Sequence, residues 1–162
     1  MAKNKEEKTN VMRVLEQKKI AYTAHTYPHE EGMAVDGATV AKFMGFDPAI
    51  VFKTLVARGA SKQYYVFDVP VAENLDLKKA AKAVGEKSIE MIHQKELLPL
   101  TGYVHGGCSP VGMKKLFPTV FHSSAENLAA MIVSAGKIGY QVELSPRDLA
   151  ALVRAKFADI IA

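Results

Sequence analysis

The sequence predicts an α/β fold in which a mixed, barrel-like sheet carries helices on its outside. Three observations lead there. Runs rich in β-branched and aromatic residues outnumber runs with helical spacing, mixed connections separate the two kinds, and no regular strand–helix–strand alternation or internal repeat orders them. With 162 residues, 49% of them hydrophobic and 23% charged, the chain has ordinary globular usage and can bury roughly two-thirds of the surface its unfolded form exposes. No linker or low-complexity tract interrupts it, so residues 1–162 are expected to form one domain.

The elements follow in order. Thr9 is the expected N-cap of a helix over VMRVLEQKKI, with Val11, Met12, Leu15 and Lys19 at helical spacing. IAYTAHTY is β-branched and aromatic and reads as a strand that Pro28 ends. DGATVAKFMG, residues 36–45, has an acidic start and a glycine stop, the signature of a short helix. IVFKTLVARGASKQYYVFDVP is a hairpin, two β-rich runs around a Gly-Ala-Ser-Lys turn. LDLKKAAKAV is a helix that Gly85 stops, with Asp76 near its N-terminus. Strand-like runs follow at SIEMI, GYVHG, TVFHS, AAMIVSAG and GYQVEL. Ser145, Pro146 and Asp148 then open a last helix running through LAALVRAKF.

Composition excludes several classes. A single cysteine cannot make an internal disulfide, and no apolar run approaches the ~20 residues that span a bilayer. MAKNKEEKTN has no apolar segment after its charges, so no secretory signal is expected and the cytoplasm is the expected compartment. The net charge of +4 suits a polyanionic partner, though the excess is spread along the chain. Lys78, Lys79, Lys82, Lys114 and Lys115 are the candidate phosphate contacts, against the ordinary alternative of solvated helix faces.

The most conspicuous stretch is VHGGCSPVGMKK, residues 104–115. Gly107 and Gly112 have the spacing of a phosphate loop, but Met113 and Lys114 stand where that motif needs Lys and Ser/Thr, which excludes it. Cys108 has His105 three residues away and could be a nucleophile; the expectation is a small apolar packing residue. His25, His29 and Glu30 invite a metal, yet Pro28 breaks the helix that would align the imidazoles, so no metal and no cofactor are expected. There remain glycine-bearing loops at Gly102, Gly106, Gly107 and Gly112 and at Gly136 and Gly139, whose backbone can approach a ligand closely. Lys53 interrupts the apolar run VFKTLV. It is either an anion-binding group in a pocket or a residue on the solvent face of an edge strand.

VFKTLV, GGCSPVGMKK and VSAGKIG, in this order and spacing, closely resemble the YbaK family of aminoacyl-tRNA deacylases, relatives of the editing domain of bacterial prolyl-tRNA synthetase. HTYPHE, NLDLKKAAKAVG and SPRDLAALV extend the likeness over nearly the whole chain. The resemblance implies a mixed barrel-like sheet surrounded by helices and hydrolysis of a mischarged aminoacyl ester on tRNA. For the YbaK branch the implied substrate is cysteinyl-tRNA for proline, cleaved by the substrate's own thiol; related branches clear alanine and other small amino acids. Prolyl-tRNA synthetase is the implied partner. Residue by residue, the resemblance makes Lys53 the essential lysine, Tyr27 a pocket tyrosine, Gly106, Gly107, Ser109 and Pro110 the substrate-facing glycine loop, and Ser134 and Gly136 the second loop. The competing class is a non-catalytic module that binds aminoacyl-tRNA or the synthetase.

Overall fold

The structure, a computed structural model, describes residues 8–28 and 36–162. Helix α1 (Asn10–Gln17) starts where the Thr9 hydroxyl accepts the Met12 N–H at 3.3 Å, and buries Val11, Met12 and Leu15. It ends two residues earlier than its periodicity suggests, because Lys19 adopts a left-handed φ of 60°. Strand β1 (Tyr22–Thr26) follows. Helix α2 (Gly37–Met44) is capped by Asp36 and stopped by Gly45. The hairpin is β2 (Phe52–Gly59) and β3 (Tyr64–Pro70), and α3 (Leu77–Val84) lies between its cap Asp76 and Gly85. β4 (Ile89–Met91), β5 (Thr119–His122), β6 (Met131–Ser134) and β7 (Tyr140–Leu144) fall where strand-like runs were expected.

Three local expectations fail. GYVHG forms no strand: Gly102 and Gly106 both sit at φ 90°, and two left-handed residues so close cannot sustain an extended ladder. An additional helix, α4 (Gln94–Thr101), precedes it. Its Pro99 argues against a helix, but the Glu96 carboxylate takes the His93 N–H at 2.9 Å and the Thr101 hydroxyl donates to the Leu97 carbonyl at 2.7 Å, which secures both ends. The last helix, α5 (Pro146–Val153), stops at a left-handed Arg154, and Lys156–Ala158 leaves it to become strand β8 alongside β5.

The strands form two sheets. One has the order β1-β7-β6 and is antiparallel; the other has the order β4-β2-β3-β5-β8, with β3–β5 and β5–β8 parallel. The sheets meet at a parallel bridge between Val51 and Ile132, secured by the Ile132 N–H on the Ile50 carbonyl at 2.8 Å. The mixed sheet with helices that the resemblance implies is present, but it does not close into a barrel. β3 is buried on both faces: Val66 packs into the main core with α1 and α5, while Tyr65, Phe67 and Val69 pack with Ala80 and Ala81 of α3. That double burial explains why YYVFDVP reads as continuously apolar rather than alternating. It also makes Asp68, fully buried in this strand, conspicuous.

Candidate active site

The site arises from a gap in the sheet. On the side of β2 away from β3, β4 pairs only with Ala57–Gly59, and the bridge to the other sheet touches only Val51. Among the described residues, no strand pairs with the Phe52–Leu55 stretch on that side. The Val71 N–H bonds the Val51 carbonyl at 2.8 Å and the Gly59 N–H the Gln63 carbonyl at 2.8 Å, so alternation turns the peptide groups of Thr54 toward the gap. A cavity of about 330 Å³ occupies it, within the range of small-ligand sites. Lys53 and Thr54 line it together with Tyr27, His105, Gly106 and Cys108; Asp36, Ser134, Tyr140 and Gln141 complete its polar wall. Lys53 is half-buried, and among the described residues no carboxylate lies within ion-pair distance of it. Both readings of Lys53 thus meet: it sits on a locally unpaired edge, and that edge is a cavity wall.

Two loops shape the cavity. Residues 136–139 turn β6 into β7, held by the Ala135 N–H on the Tyr140 carbonyl at 2.9 Å. The Tyr27 N–H bonds the Gly139 carbonyl at 2.9 Å and so fixes the tyrosine backbone beside this turn. The loop after α4 packs onto it at Gly107, where a Cβ would stand 3.1 Å from the Ile138 nitrogen and 3.3 Å from Lys137 Cα. Both neighbours are backbone, so a side chain there must push the loops apart. Gly107→Ala is therefore expected to lower the hydrolysis that the resemblance implies at least about tenfold while the protein still unfolds cooperatively, because misplacement on the order of 1 Å weakens catalysis strongly. A wild-type rate for a folded variant would count against this packing. The Tyr103 hydroxyl donates to the Val111 carbonyl and closes the loop on itself.

Gly107, Ser109, Pro110 and Gly136 are not among the residues that line the cavity. The Gly107 N–H is spent on the Val104 carbonyl at 3.0 Å, which leaves Gly106 as the member of the pair on the wall. Ser109 is fully buried, and its Oγ accepts the Val111 N–H at 3.2 Å. The Ser134 Oγ accepts the Gly136 N–H at 3.1 Å. Of the histidines weighed for a metal, His25 contacts Glu143 at 2.7 Å and stacks edge-on with Phe46, while His29 and Glu30 lie outside the described residues. No group of three or more metal-binding side chains is found among the described residues.

Burial dominates the electrostatics. The Cys108 thiol is pushed up to about 12, chiefly by desolvation and then by the negative charge of Asp68, so it stays protonated and non-nucleophilic at neutral pH. This matches the packing role expected of it, and Cys108→Ala is expected to retain the hydrolysis that the resemblance implies within about threefold. A dead variant with intact folding would contradict that. Asp68 is itself pushed up to about 7 by burial, against a downward pull from its bond to Thr54. Its raised value means that the folded protein holds a proton the unfolded chain has already lost, so this residue destabilises the fold progressively as pH rises from about 4 to 7. Asp68→Asn should remove that slope. The pH-dependent cost in the wild type, on the order of 4 kcal/mol by pH 8 at 1.36 kcal/mol per unit, would be read by urea unfolding at several pH values. Parallel slopes for the two proteins would refute it.

Sequence reasoning missed Asp36, Thr54, Asp68 and Gln141. Only Asp68 left a signal, an acid inside an apolar strand; Thr54 and Gln141 reach the cavity from β2 and β7, and Asp36 from the start of α2. The lysines proposed for phosphate divide. Lys78 and Lys82 line an open groove with Lys87 that shares no residue with the cavity. Lys79 is committed to Asp159 at 3.0 Å and to the Ile161 carbonyl, and the Lys114 ammonium to the Pro99 carbonyl at 3.3 Å. Lys115 stands over the Phe117 ring.

The model of the aminoacyl-tRNA editing domain matches residues 29–152. A protein of Enterococcus faecalis, named a candidate Cys-tRNA(Pro)/Cys-tRNA(Cys) deacylase, EbsC, is 45% identical over 161 residues, covering 99% of this chain and 98% of that one. Among solved structures, a candidate trans-editing enzyme for prolyl-tRNA synthetase aligns with TM-score 0.79 at 24% identity over 94% of both chains. A hypothetical protein aligns with TM-score 0.83 at 20% identity over 94% of this chain and 99% of that one. These two likenesses carry the fold. With the domain match covering most of the chain and the relative aligning end to end, this chain belongs to the aminoacyl-tRNA editing domain family, the deacylases that clear mischarged tRNA.

Proposed function

We propose that the cavity beside Lys53 cleaves the ester of Cys-tRNA(Pro), and of Cys-tRNA(Cys) when it is presented, using the substrate's own thiol. The carrying observation is that Lys53 is the one lysine or arginine among the described residues lining a small cavity, in a chain 45% identical to a relative named for this activity. The cysteinyl sulfur attacks its own ester carbonyl; a C–S bond forms, the bond from carbonyl carbon to ribose oxygen breaks, and the thiol proton goes to that oxygen. Cysteine thiolactone and free tRNA result, and water opens the thiolactone to cysteine. Support for a substrate nucleophile comes from Cys108, the lining thiol, whose pKa is driven away from neutrality.

Lys53 holds the terminal phosphate or the developing negative charge, and the Gly106 backbone faces the carbonyl. Tyr27 and Ser134 contact the aminoacyl end, while Gly107, Ser109, Pro110 and Gly136 hold the two loops in register behind them. Such a second site supplies discrimination that a synthetase cannot, since one methylene is worth only ~1–3 kcal/mol in a binding pocket. Prolyl-tRNA synthetase is the partner this reading calls for, as the source of the mischarged product, and the cytoplasm is the compartment; among the described residues no helix is long and apolar enough to cross a membrane.

The test is deacylation of a panel of aminoacyl-tRNAs with free amino acid and thiolactone distinguished. Cysteinyl-tRNA should be cleaved with thiolactone as first product, and seryl-tRNA spared by at least about a hundredfold, since a hydroxyl is a far poorer nucleophile than a thiol. Equal cleavage of the two would overturn the substrate-thiol route. Tight binding without cleavage of any member would make the chain a non-catalytic carrier, and preference for alanyl-tRNA would move it to another branch.

A further inference from the structure

Asp68 is 0% exposed, sits in the middle of β3, and has no part in the chemistry above. It faces Thr54 of β2 across a pair in which the backbones exchange no hydrogen bonds, the arrangement that brings side chains closest. Thr54 Oγ1 and Asp68 Oδ1 are 2.5 Å apart, and Asp68 Oδ2 has no partner among the described residues. A buried carboxyl kept only to brace the sheet would have both oxygens satisfied, since an unpaired buried polar atom costs stability. The neighbouring backbone already pairs β2 with β3 without it. What distinguishes this pair is its position: Thr54 lines the cavity next to Lys53, and Asp68 stands directly behind it.

We propose that Asp68 is a positioning residue for the deacylation, setting the direction of the Thr54 hydroxyl and so deciding whether Thr54 presents a hydrogen-bond donor or an acceptor to the bound ester. When Asp68 is ionised, the Thr54 O–H must donate to Oδ1 and only oxygen lone pairs remain for the cavity. When Asp68 is protonated, its own O–H donates to Thr54 Oγ1, and the Thr54 proton is free to turn toward the ester carbonyl. One proton, exchanged with solvent, separates the two arrangements. The groups facing Asp68 are Thr54 from β2, Phe121 opposite it on β5, and the neutral Cys108 from the loop after α4. Among the described residues no lysine, arginine or second carboxylate contributes to its pKa, which burial raises and the bond to Thr54 lowers.

This rests on deacylation at the cavity, so the experiment has an arm that needs no substrate. In the first arm, cysteinyl-tRNA deacylation by the wild type, Asp68→Asn, Thr54→Ser, Thr54→Val and the Asp68→Asn/Thr54→Val double variant is followed from pH 5.5 to 8.5. The wild type and Thr54→Ser should show an inflection of kcat near neutrality that the other three lack. Thr54→Val should lower kcat about tenfold with KM changed less than twofold, and the double variant should equal Thr54→Val alone. An inflection that survives in Asp68→Asn, or a double variant whose losses multiply, overturns the proposal. In the second arm, the wild type and Thr54→Val are labelled with carboxyl-13C aspartate and titrated by NMR. A buried carboxyl resonance titrating near neutrality, displaced in Thr54→Val, supports the coupling even if no aminoacyl-tRNA is cleaved. A carboxyl charged throughout that range overturns it, whatever the substrate proves to be.

Discussion

Replacing Lys53 with alanine is expected to lower cysteinyl-tRNA deacylation by a factor on the order of 10²–10³, the loss typical of one preorganised electrostatic group facing a developing charge. The fold should survive the change. Lys53 is half-buried on a stretch of β2 that, among the described residues, has no strand neighbour on one side, and no ion pair among them is broken by its removal. Thermal unfolding of the variant should therefore match the wild type within a few degrees, separating a chemical defect from a structural one. Lys53→Arg keeps the charge but spreads it over a planar fork, and its activity should lie between the two. A folded Lys53→Ala protein that still cleaves at the wild-type rate would remove Lys53 from the reaction and with it the proposed use of the cavity.

Gly136→Ala is expected to cost about 3–5 kcal/mol in urea unfolding, the largest stability loss predicted from a single added methyl group. Two effects coincide there. The backbone has φ 92°, beyond the region an L-residue tolerates comfortably, and an added Cβ would lie 2.9 Å from Tyr103 Cε1 and 3.0 Å from Val11 Cγ2. Tyr103 cannot yield freely, because its hydroxyl is bonded to the Val111 carbonyl and its ring is buried. Gly45→Ala is the natural control: it has φ 76° but nothing within 4 Å of the new atom, so it should lose only about 1 kcal/mol. Similar losses at the two sites would show that strain alone, and not the contact with Tyr103, decides the cost. Activity should fall with stability at Gly136, since Tyr103 belongs to the loop that carries Gly106.

Local signals in the sequence were reliable where a short stretch decides its own conformation. Thr9, Asp36, Asp76 and Ser145 each accept a backbone N–H at the helix start assigned to them, because capping needs only a side chain and the amides two or three residues on. Gly45 and Gly85 stop their helices in the left-handed conformation for the same local reason. The failures are equally physical. Pro99 concealed α4, whose ends are held by side chains of Glu96 and Thr101. LVRAKF has helical content, but the open edge of β5 claims Lys156–Ala158 as a strand.

By itself the sequence determined the class of fold, most element positions, the likeness to aminoacyl-tRNA deacylases, and a short roster of residues around Lys53 and the glycine loops. Tertiary structure decided which of them reach the cavity. Lys53, Tyr27, Gly106 and Ser134 reach the cavity, whereas Gly107, Ser109, Pro110 and Gly136 stand behind it, because the Gly107 amide and the Ser109 hydroxyl are already spent on the loop's own turns. It also decided that Thr54 and Asp68, fourteen residues apart, form one unit beneath the site. The reason is common to both: spacing along a chain fixes which faces alternate, but only the pairing of β2 with β3, and the stretch Phe52–Leu55 that no described strand pairs on the opposite side, creates a gap and says whose side chains share it.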